Sequence, residues 1–404
     1  MMTESHPQDP IAAVTHPNPY PYYADLVAHR PLYYDDSLKM WVASSAEVVT
    51  AVLTSDLYRV RPAAEPIPHA IVGSSSGDIF QHLIRMNDGE KHTPMKQAVS
   101  ATLHTGLIDH MNAQSRQCAI SLFKSLNLAS SSEKIMQFAF HLPVYVVASL
   151  LGVPEERLDQ TAHWVGDFVR GLAPTSTSAQ IEQGHQAADQ LRRIMQVLLA
   201  DPHESRLASL NRESAHIDTS NQEAIAANAI GLMMQSYEAT AGLIGTALIT
   251  LARHATIYEH VINYPGLLRP LLHEVLRYDS PVQNTRRFVV QDGRIAGHEM
   301  KAGDTILVVL AAANRDPSAN HSPHQFDLWR ENRCLFTFGR GVHACPGEMM
   351  AVTIAQAALE TILTSSLEIE IWAGETAYRP SANTRIPHLY AIPKPHLKNT
   401  HFYF

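Results

Sequence analysis

The sequence predicts a mainly α protein with a minor β region, and three observations carry that expectation. Apolar residues recur at helical spacing through most of residues 97–215. One stretch, Asn221–His254, sustains helical character over ~34 residues, about 50 Å of helix. Strand-like runs are few and short, and turn residues bound them.

In chain order, residues 1–18 are polar and proline-bearing and read as a flexible tail ahead of one large domain, 19–404. Tyr20–Asp25 opens a short helix, Leu32–Tyr34 and Met40–Ala43 read as strands, and Ser45–Thr54 as a helix. Residues 58–80 hold prolines and a Ser-Ser-Ser-Gly run without periodicity, the pattern of a long loop. Helices are expected at Gln97–Leu103, Met111–Leu126, Leu142–Leu151, Glu155–Arg170 and Ile181–Leu199, with Ser/Thr/Asp-rich loops at 172–180 and 201–219. Ser220 and Glu223 form a capping-box pattern before the long helix, whose two faces are both apolar, so it should cross the core. Leu267–Tyr278 and Glu348–Leu363 read as helices. Val282–Val290, Arg294–Ala296, Thr305–Val309, Leu367–Trp372 and Thr384–Ile392 read as strands.

Composition narrows the functional classes. A 404-residue chain with 45% hydrophobic residues can bury a sizeable core, and a net charge of −8 gives no overall electrostatic case for nucleic acid. Three cysteines without a CxxC pair suit a reducing compartment, so a cytoplasmic location is expected. No apolar leader and no span of about 20 apolar residues is evident, which argues against a membrane partner. The 23 histidines show no ligand spacing with carboxylates and read as scattered surface residues. His273-Glu274 begins like a zinc motif, but Arg277 occupies the place of the second histidine and cannot ligate metal.

Chemistry concentrates in Phe338-Gly339-Arg340-Gly341-Val342-His343-Ala344-Cys345-Pro346-Gly347. Its glycines permit close backbone approach, and Cys345 stands just before a helix start, where amides and the helix dipole favour a thiolate. A thiolate is a soft, donating ligand suited to haem iron. The spacing Phe-Gly-x-Gly-x-His-x-Cys-x-Gly resembles the haem-binding loop of the cytochrome P-450 superfamily, soluble bacterial type. The resemblance extends from Tyr20 to Ile392. It implies that the cofactor is haem b (iron protoporphyrin IX) with dioxygen as co-substrate, buried between the long helix and the cysteine loop. By the same resemblance Cys345 is the iron ligand, Phe338 and Gly347 flank it, and His343 bonds a propionate. His92 and Lys96, spaced i, i+4, match the family's His-x-x-x-Arg with lysine for arginine, and Arg287 or Arg286 meets a propionate.

On the long helix, Gln235-Ser236-Tyr237-Glu238-Ala239-Thr240 is a polar island. The family's oxygen-activating helix carries an acid followed by threonine. Here Glu238 matches the acid, Ala239 replaces the threonine, and Thr240 lies one residue and about 100° further round. A local bulge is one way to re-aim Thr240. The expected activity is haem-thiolate monooxygenation of a small organic substrate in secondary metabolism, with electrons from a separate ferredoxin and reductase. Ala239 leaves three variants open: a relay through water or a substrate hydroxyl, use of peroxide, or a less usual oxidation. A non-oxygenating haem protein, sensor or isomerase, is the alternative class. The resemblance makes Glu274, Arg277 and Arg330 a structural network bracing the cysteine loop. It puts Gln235, Tyr237, Val282, Gln283, Asn284 and His388 at the substrate pocket, and Arg340 is the expected contact for an acidic redox partner.

Overall fold

A computed structural model describes residues 6–389 apart from 105–107, 129–132, 202–204 and 216–221. The first layer is built at the N-terminus. Helix α1 (Tyr20–His29) leads to strands β1 (Leu32–Asp35) and β2 (Met40–Ala43), then to α2 (Ala46–Thr54) and β3 (Tyr58–Arg59). Ser45 caps α2, its Oγ accepting the Val48 amide at 3.3 Å. The helical bulk follows: α3 (Ser75–His82), α4 (Thr93–His104), α5 (Ile108–Ser125), α6 (Glu133–Leu151), α7 (Leu158–Gly171), α8 (Ser178–Ala200) and α9 (Arg206–Ser214). The long helix is α10 (Gln222–Arg253), followed by α11 (Ala255–Asn263) and α12 (Leu268–Tyr278). Strands β4 (Thr285–Val289), β5 (Gly293–Ile295), β6 (His298–Met300) and β7 (Thr305–Val308) precede α13 (Leu310–Asn314) and α14 (Glu348–Leu363).

The five-stranded sheet runs β1-β2-β7-β4-β3. β2 and β7 pair in parallel, Trp41 opposite Ile306, while the other pairs are antiparallel. The chain's start is thereby stitched to its last third. β5 and β6 form a separate hairpin with Gly297 at φ 83° in its turn.

α10 crosses the core as its two apolar faces predict. It packs against α6, α8, α12 and α14, with Ile230, Ile244 and Leu248 fully buried. Each such side chain contributes about 1.5–3 kcal/mol of burial, so truncating Leu248 to alanine would cost about 2–5 kcal/mol.

Several expectations are corrected. The tail expected over 1–18 is packed from His6 onward: Ala13 and Val14 are buried, and Arg385 donates to the carbonyls of Val14, His16 and Pro17. The loop expected over 58–80 contains α3, capped by the Ser74 hydroxyl on the Gly77 amide. The loop expected over 201–219 contains α9, capped by Ser205 in the same way. In both cases a serine N-cap was the overlooked signal. Leu367–Trp372 forms a 3-10 turn at Ile369–Trp372 rather than a strand. Within Thr384–Ile392 only isolated bridges form, through Thr384 and Pro387, and residues from 390 lie outside the described residues, as does Ser220 of the capping-box pattern. One stretch, Lys134–Leu151 of α6, is long and apolar enough to cross a membrane, but 72% of it is buried in the fold.

Candidate active site

The cysteine loop closes on itself. The Cys345 amide donates to the Phe338 carbonyl at 2.8 Å, and the Gly347 amide points at Cys345 Sγ from 3.3 Å. Gly341 takes φ 69° where a Cβ would lie 2.7 Å from the Leu53 carbonyl oxygen, so only glycine lets the loop rest on α2. Lys96 Nζ donates to the Ala344 carbonyl, and α14 starts at Glu348 with its N-terminus toward the loop. Cys345 is nonetheless exposed on one side. Its surroundings raise the thiol's pKa by desolvation, against which the Gly347 amide and the Lys96 charge work. Lys96 therefore serves the sulfur loop in this structure.

A second cluster surrounds Asp88. His343 Nε2 lies 2.9 Å from Asp88 Oδ1, the His343 and His92 rings stand 4.2 Å apart, and the Arg287 charge acts on Asp88. Burial pushes Asp88 up, but the His343 hydrogen bond, the Val60 amide and nearby charges outweigh it and hold its carboxyl below the usual range. His92 is pushed down to about 4 by burial and by the His343 and Lys96 charges, so it is neutral near pH 7. The two arginines of β4 separate by strand alternation: Arg287 is buried, Arg286 exposed.

The third part is α10. The helix runs unbroken through the polar island, without the bulge that would re-aim Thr240. Tyr237, Glu238 and Ala239 are half-buried, whereas Thr240 is 1% exposed and its hydroxyl has no hydrogen-bond partner. Gln235 is exposed and donates to the Gly231 carbonyl. Tyr237 lies between α6 and α7: its ring is 4.8 Å from that of Phe140, and a Cβ at Gly166 would meet its hydroxyl at 2.7 Å. Burial raises the pKa of Glu238, and Arg379 and then Arg85 act against it through space without a hydrogen bond. Arg379 sits over the Phe140 ring at 4.5 Å. Arg85 is accessible, yet neighbouring groups strip enough water to lower its pKa, with the Glu238 charge working against the shift.

The brace around Glu274 is extensive. Arg277 contacts both carboxylate oxygens, at 2.7 and 3.1 Å, Arg330 reaches Oε1 at 3.3 Å, and the Asp327 amide donates to Oε1 at 2.9 Å. Arg333, unnoticed in the sequence although it follows Arg330 by three residues, completes it at 3.1 Å. The arginines also donate to the carbonyls of His321, Ser322, Pro323, Gln325 and Leu328, tying α12 to the segment before the cysteine loop.

Of the expected pocket residues, Val282 and His388 are half-buried near the turn whose Pro387 rests against Gly245 of α10. Gln283 and Asn284 do not line a pocket. Gln283 has no exposed surface, accepts from the Tyr23 hydroxyl and donates to the Ser280 carbonyl; Asn284 is 3% exposed and donates to the Ala382 carbonyl. Their side chains are consumed in pinning β4 to its neighbours. Arg340, half-buried, lies over the Phe336 ring and donates to Cys334 Sγ at 2.6 Å, so part of its guanidinium is engaged within the chain. Asp88, Arg85 and Arg379 were not singled out in the sequence because lone charges carry no spacing signal.

The donor set fits a haem: an accessible, amide-supported thiol and, apart from it, a buried imidazole and guanidinium cluster suited to carboxylates. A cytochrome P450 family profile matches residues 266–371, which span the Glu274 network and the cysteine loop. The biotin biosynthesis cytochrome P450 of Bacillus subtilis is 27% identical over 372 residues, covering 90% of this chain and 93% of its own length. The cytochrome P450 monooxygenase PikC of Streptomyces venezuelae is 26% identical over 387 residues, 93% of this chain and 90% of its own. A crystal structure of P450BioI with a hexadec-9Z-enoic acid ligated acyl carrier protein superposes with TM-score 0.79 at 26% identity, covering 92% of this chain and 96% of that one. Sequence, site chemistry and fold agree: residues 266–371 carry a cytochrome P450 domain, and over about nine-tenths of its length the chain is similar in sequence and fold to bacterial cytochrome P450 enzymes.

Proposed function

We propose that Cys345 ligates the iron of haem b and that the chain oxidises a small organic acid with electrons from a separate ferredoxin and reductase. The observation that carries this reading is the Cys345 thiol, open on one side and supported by the Gly347 amide at 3.3 Å. When bound, the haem supplies oxygen activation driven by external electrons. The chain's own residues do the rest. Lys96 and the Gly347 amide stabilise negative charge on the sulfur, and the Phe338 carbonyl, accepting the Cys345 amide, fixes the loop around it. His92, His343 and Arg287 hold the propionates, with Arg287 favoured over Arg286 by its burial and its approach to Asp88. Glu238, kept protonated more readily than an ordinary carboxyl, would hold a proton at its carboxyl oxygen for relay by water, since Ala239 offers no hydroxyl and Thr240 is buried.

Two guanidinium groups define the substrate side. Arg85 and Arg379 act on Glu238, whereas Arg287 acts on Asp88, so the first pair belongs to the face of α10 and not to the propionate cluster. Neither has its charge neutralised at contact distance by Glu238, which supports a substrate carrying a carboxylate. A role in secondary metabolism and a cytoplasmic setting accompany this reading.

The test is optical. The reduced protein under carbon monoxide should show the red-displaced Soret band of sulfur opposite CO, and Cys345→Ala should abolish it; a wild-type band at the position typical of a nitrogen ligand overturns the assignment. A second reading, peroxide-driven turnover, is favoured by Ala239 and the buried Thr240. Product formed with hydrogen peroxide at a rate matching the ferredoxin system would support it.

A further inference from the structure

The histidines show no ligand spacing along the chain, but the fold brings two of them together with a carboxylate far from the cysteine loop. His141 of α6 and Asp159 and His163 of α7 offer ligand atoms that all lie within 4.8 Å of one another. Asp159 Oδ1 is 3.7 Å from His141 Nδ1, and Asp159 Oδ2 is 3.5 Å from His163 Nδ1. Ligands at about 2.1 Å from a tetrahedral zinc ion stand about 3.4 Å apart, so the two Asp159 contacts are already near ligand spacing, and side-chain rotations of about an ångström would close the widest separation, which lies within 4.8 Å.

A second observation points to a ligand independently of the cluster. His141 is 6% exposed, and its buried Nδ1 has no hydrogen-bond partner. A buried ring nitrogen without a partner costs free energy unless something outside the chain satisfies it. The supporting shell is in place. The Tyr145 hydroxyl donates to Asp159 Oδ1 at 3.2 Å, and His163 Nδ1 lies 2.8 Å from the Asp159 carbonyl, a contact that a modest ring rotation would exchange for the metal. Asp159 and His163 are exposed, so the site has an entry path.

We propose that His141, Asp159 and His163 form a divalent-cation site for zinc or a similar borderline metal, completed by water, which clamps α6 to α7. Two imidazoles and one carboxylate select zinc over magnesium, which takes oxygen ligands. The clamp closes three residues before Gly166, the position of α7 that admits Tyr237 beside Glu238. It would therefore brace the helix wall behind the candidate site.

The experiment uses the haem-loaded protein after treatment with EDTA, titrated with zinc alone by calorimetry and followed by thermal unfolding. Saturable 1:1 binding and a rise in Tm that EDTA reverses are expected, with no rise from magnesium. His163→Ala and Asp159→Asn, both at exposed positions, should each weaken zinc binding at least about tenfold, the loss that even outer partners of a ligand can cause. Zinc affinity unchanged in both variants, or no saturable binding to the parent protein, would overturn the assignment. Anomalous scattering at the zinc edge from a soaked crystal should place the ion between the three side chains; an ion elsewhere would refute it.

Discussion

Two glutamates of this fold, Glu274 fully buried and Glu238 half-buried, could hardly differ more. Glu274 receives three arginines and a backbone amide, and although burial works against it, these partners hold its carboxyl below the ordinary range. Glu238 receives no hydrogen bond, its two arginines act only through space, and burial wins. A carboxylate whose lone pairs are all used is a structural part; one left without hydrogen bonds is available for chemistry. The brace lies before the cysteine loop and the unsatisfied acid on the crossing helix, so rigidity and reactivity are assigned to different faces.

Breaking the brace should have the largest effect. Glu274→Ala leaves three guanidinium groups without their carboxylate, and loss of one partner of a buried ion pair costs about 3–5 kcal/mol. That is a large share of the stability of a domain. The expected result is insoluble or haem-free protein with a sharply lowered Tm; full haem content at normal Tm would show that the arginines hold their positions without it.

The same contrast explains what could be read from the sequence. Glu274, Arg277 and Arg330 were legible through the family resemblance, because an i, i+3 pair on a helix alone reads as a surface ion pair. The cysteine loop drew notice through the spacing it shares with the family, and the structure explains one fixed position in it, since a Cβ at Gly341 would lie 2.7 Å from the Leu53 carbonyl oxygen. Helices α3 and α9 were hidden by Ser-rich composition, although their serine caps were visible. Gln283 and Asn284 were misassigned because strand alternation tells which side a residue faces, not whether a neighbour's carbonyl waits there. His141 and His163 lie 22 positions apart, and only the packing of α6 on α7 joins them.

On the unsatisfied side, the arginines come next in size. A hydrogen bond to a charged group is worth about 1.5–3 kcal/mol, so Arg85→Gln or Arg379→Gln should weaken an acidic ligand by roughly tenfold or more. Optical titration with a carboxylic acid and its amide gives the comparison. Equal losses for both would remove the acid from the substrate assignment. Smaller still should be Ala239→Thr, which puts a hydroxyl on the half-buried face of α10. Product per NAD(P)H should rise a few-fold, well short of the ~10²–10⁴ that a positioned proton donor supplies, because Glu238 and water already act there. An unchanged or lower ratio would count against a proton-delivery deficit.

The gentlest probe compares the two acids by pH. Glu238 is raised above its ordinary 4.5, so between 4.5 and its raised value the folded chain holds a proton that the unfolded chain has released. Stability from this group is present below 4.5 and falls as pH rises through that window. Glu274 is lowered, so its contribution is present above 4.5 and is lost as pH falls through its depressed value. Glu238→Gln removes only the first effect. Its Tm should exceed the parent's by about 1–2 °C at pH 7, and the gap should close as pH drops below 4.5, while acid unfolding governed by Glu274 stays unchanged. A gap that persists at low pH would mean that the introduced amide gains from packing and not from the missing charge, and Glu238 would then lose its claim to be the poised acid.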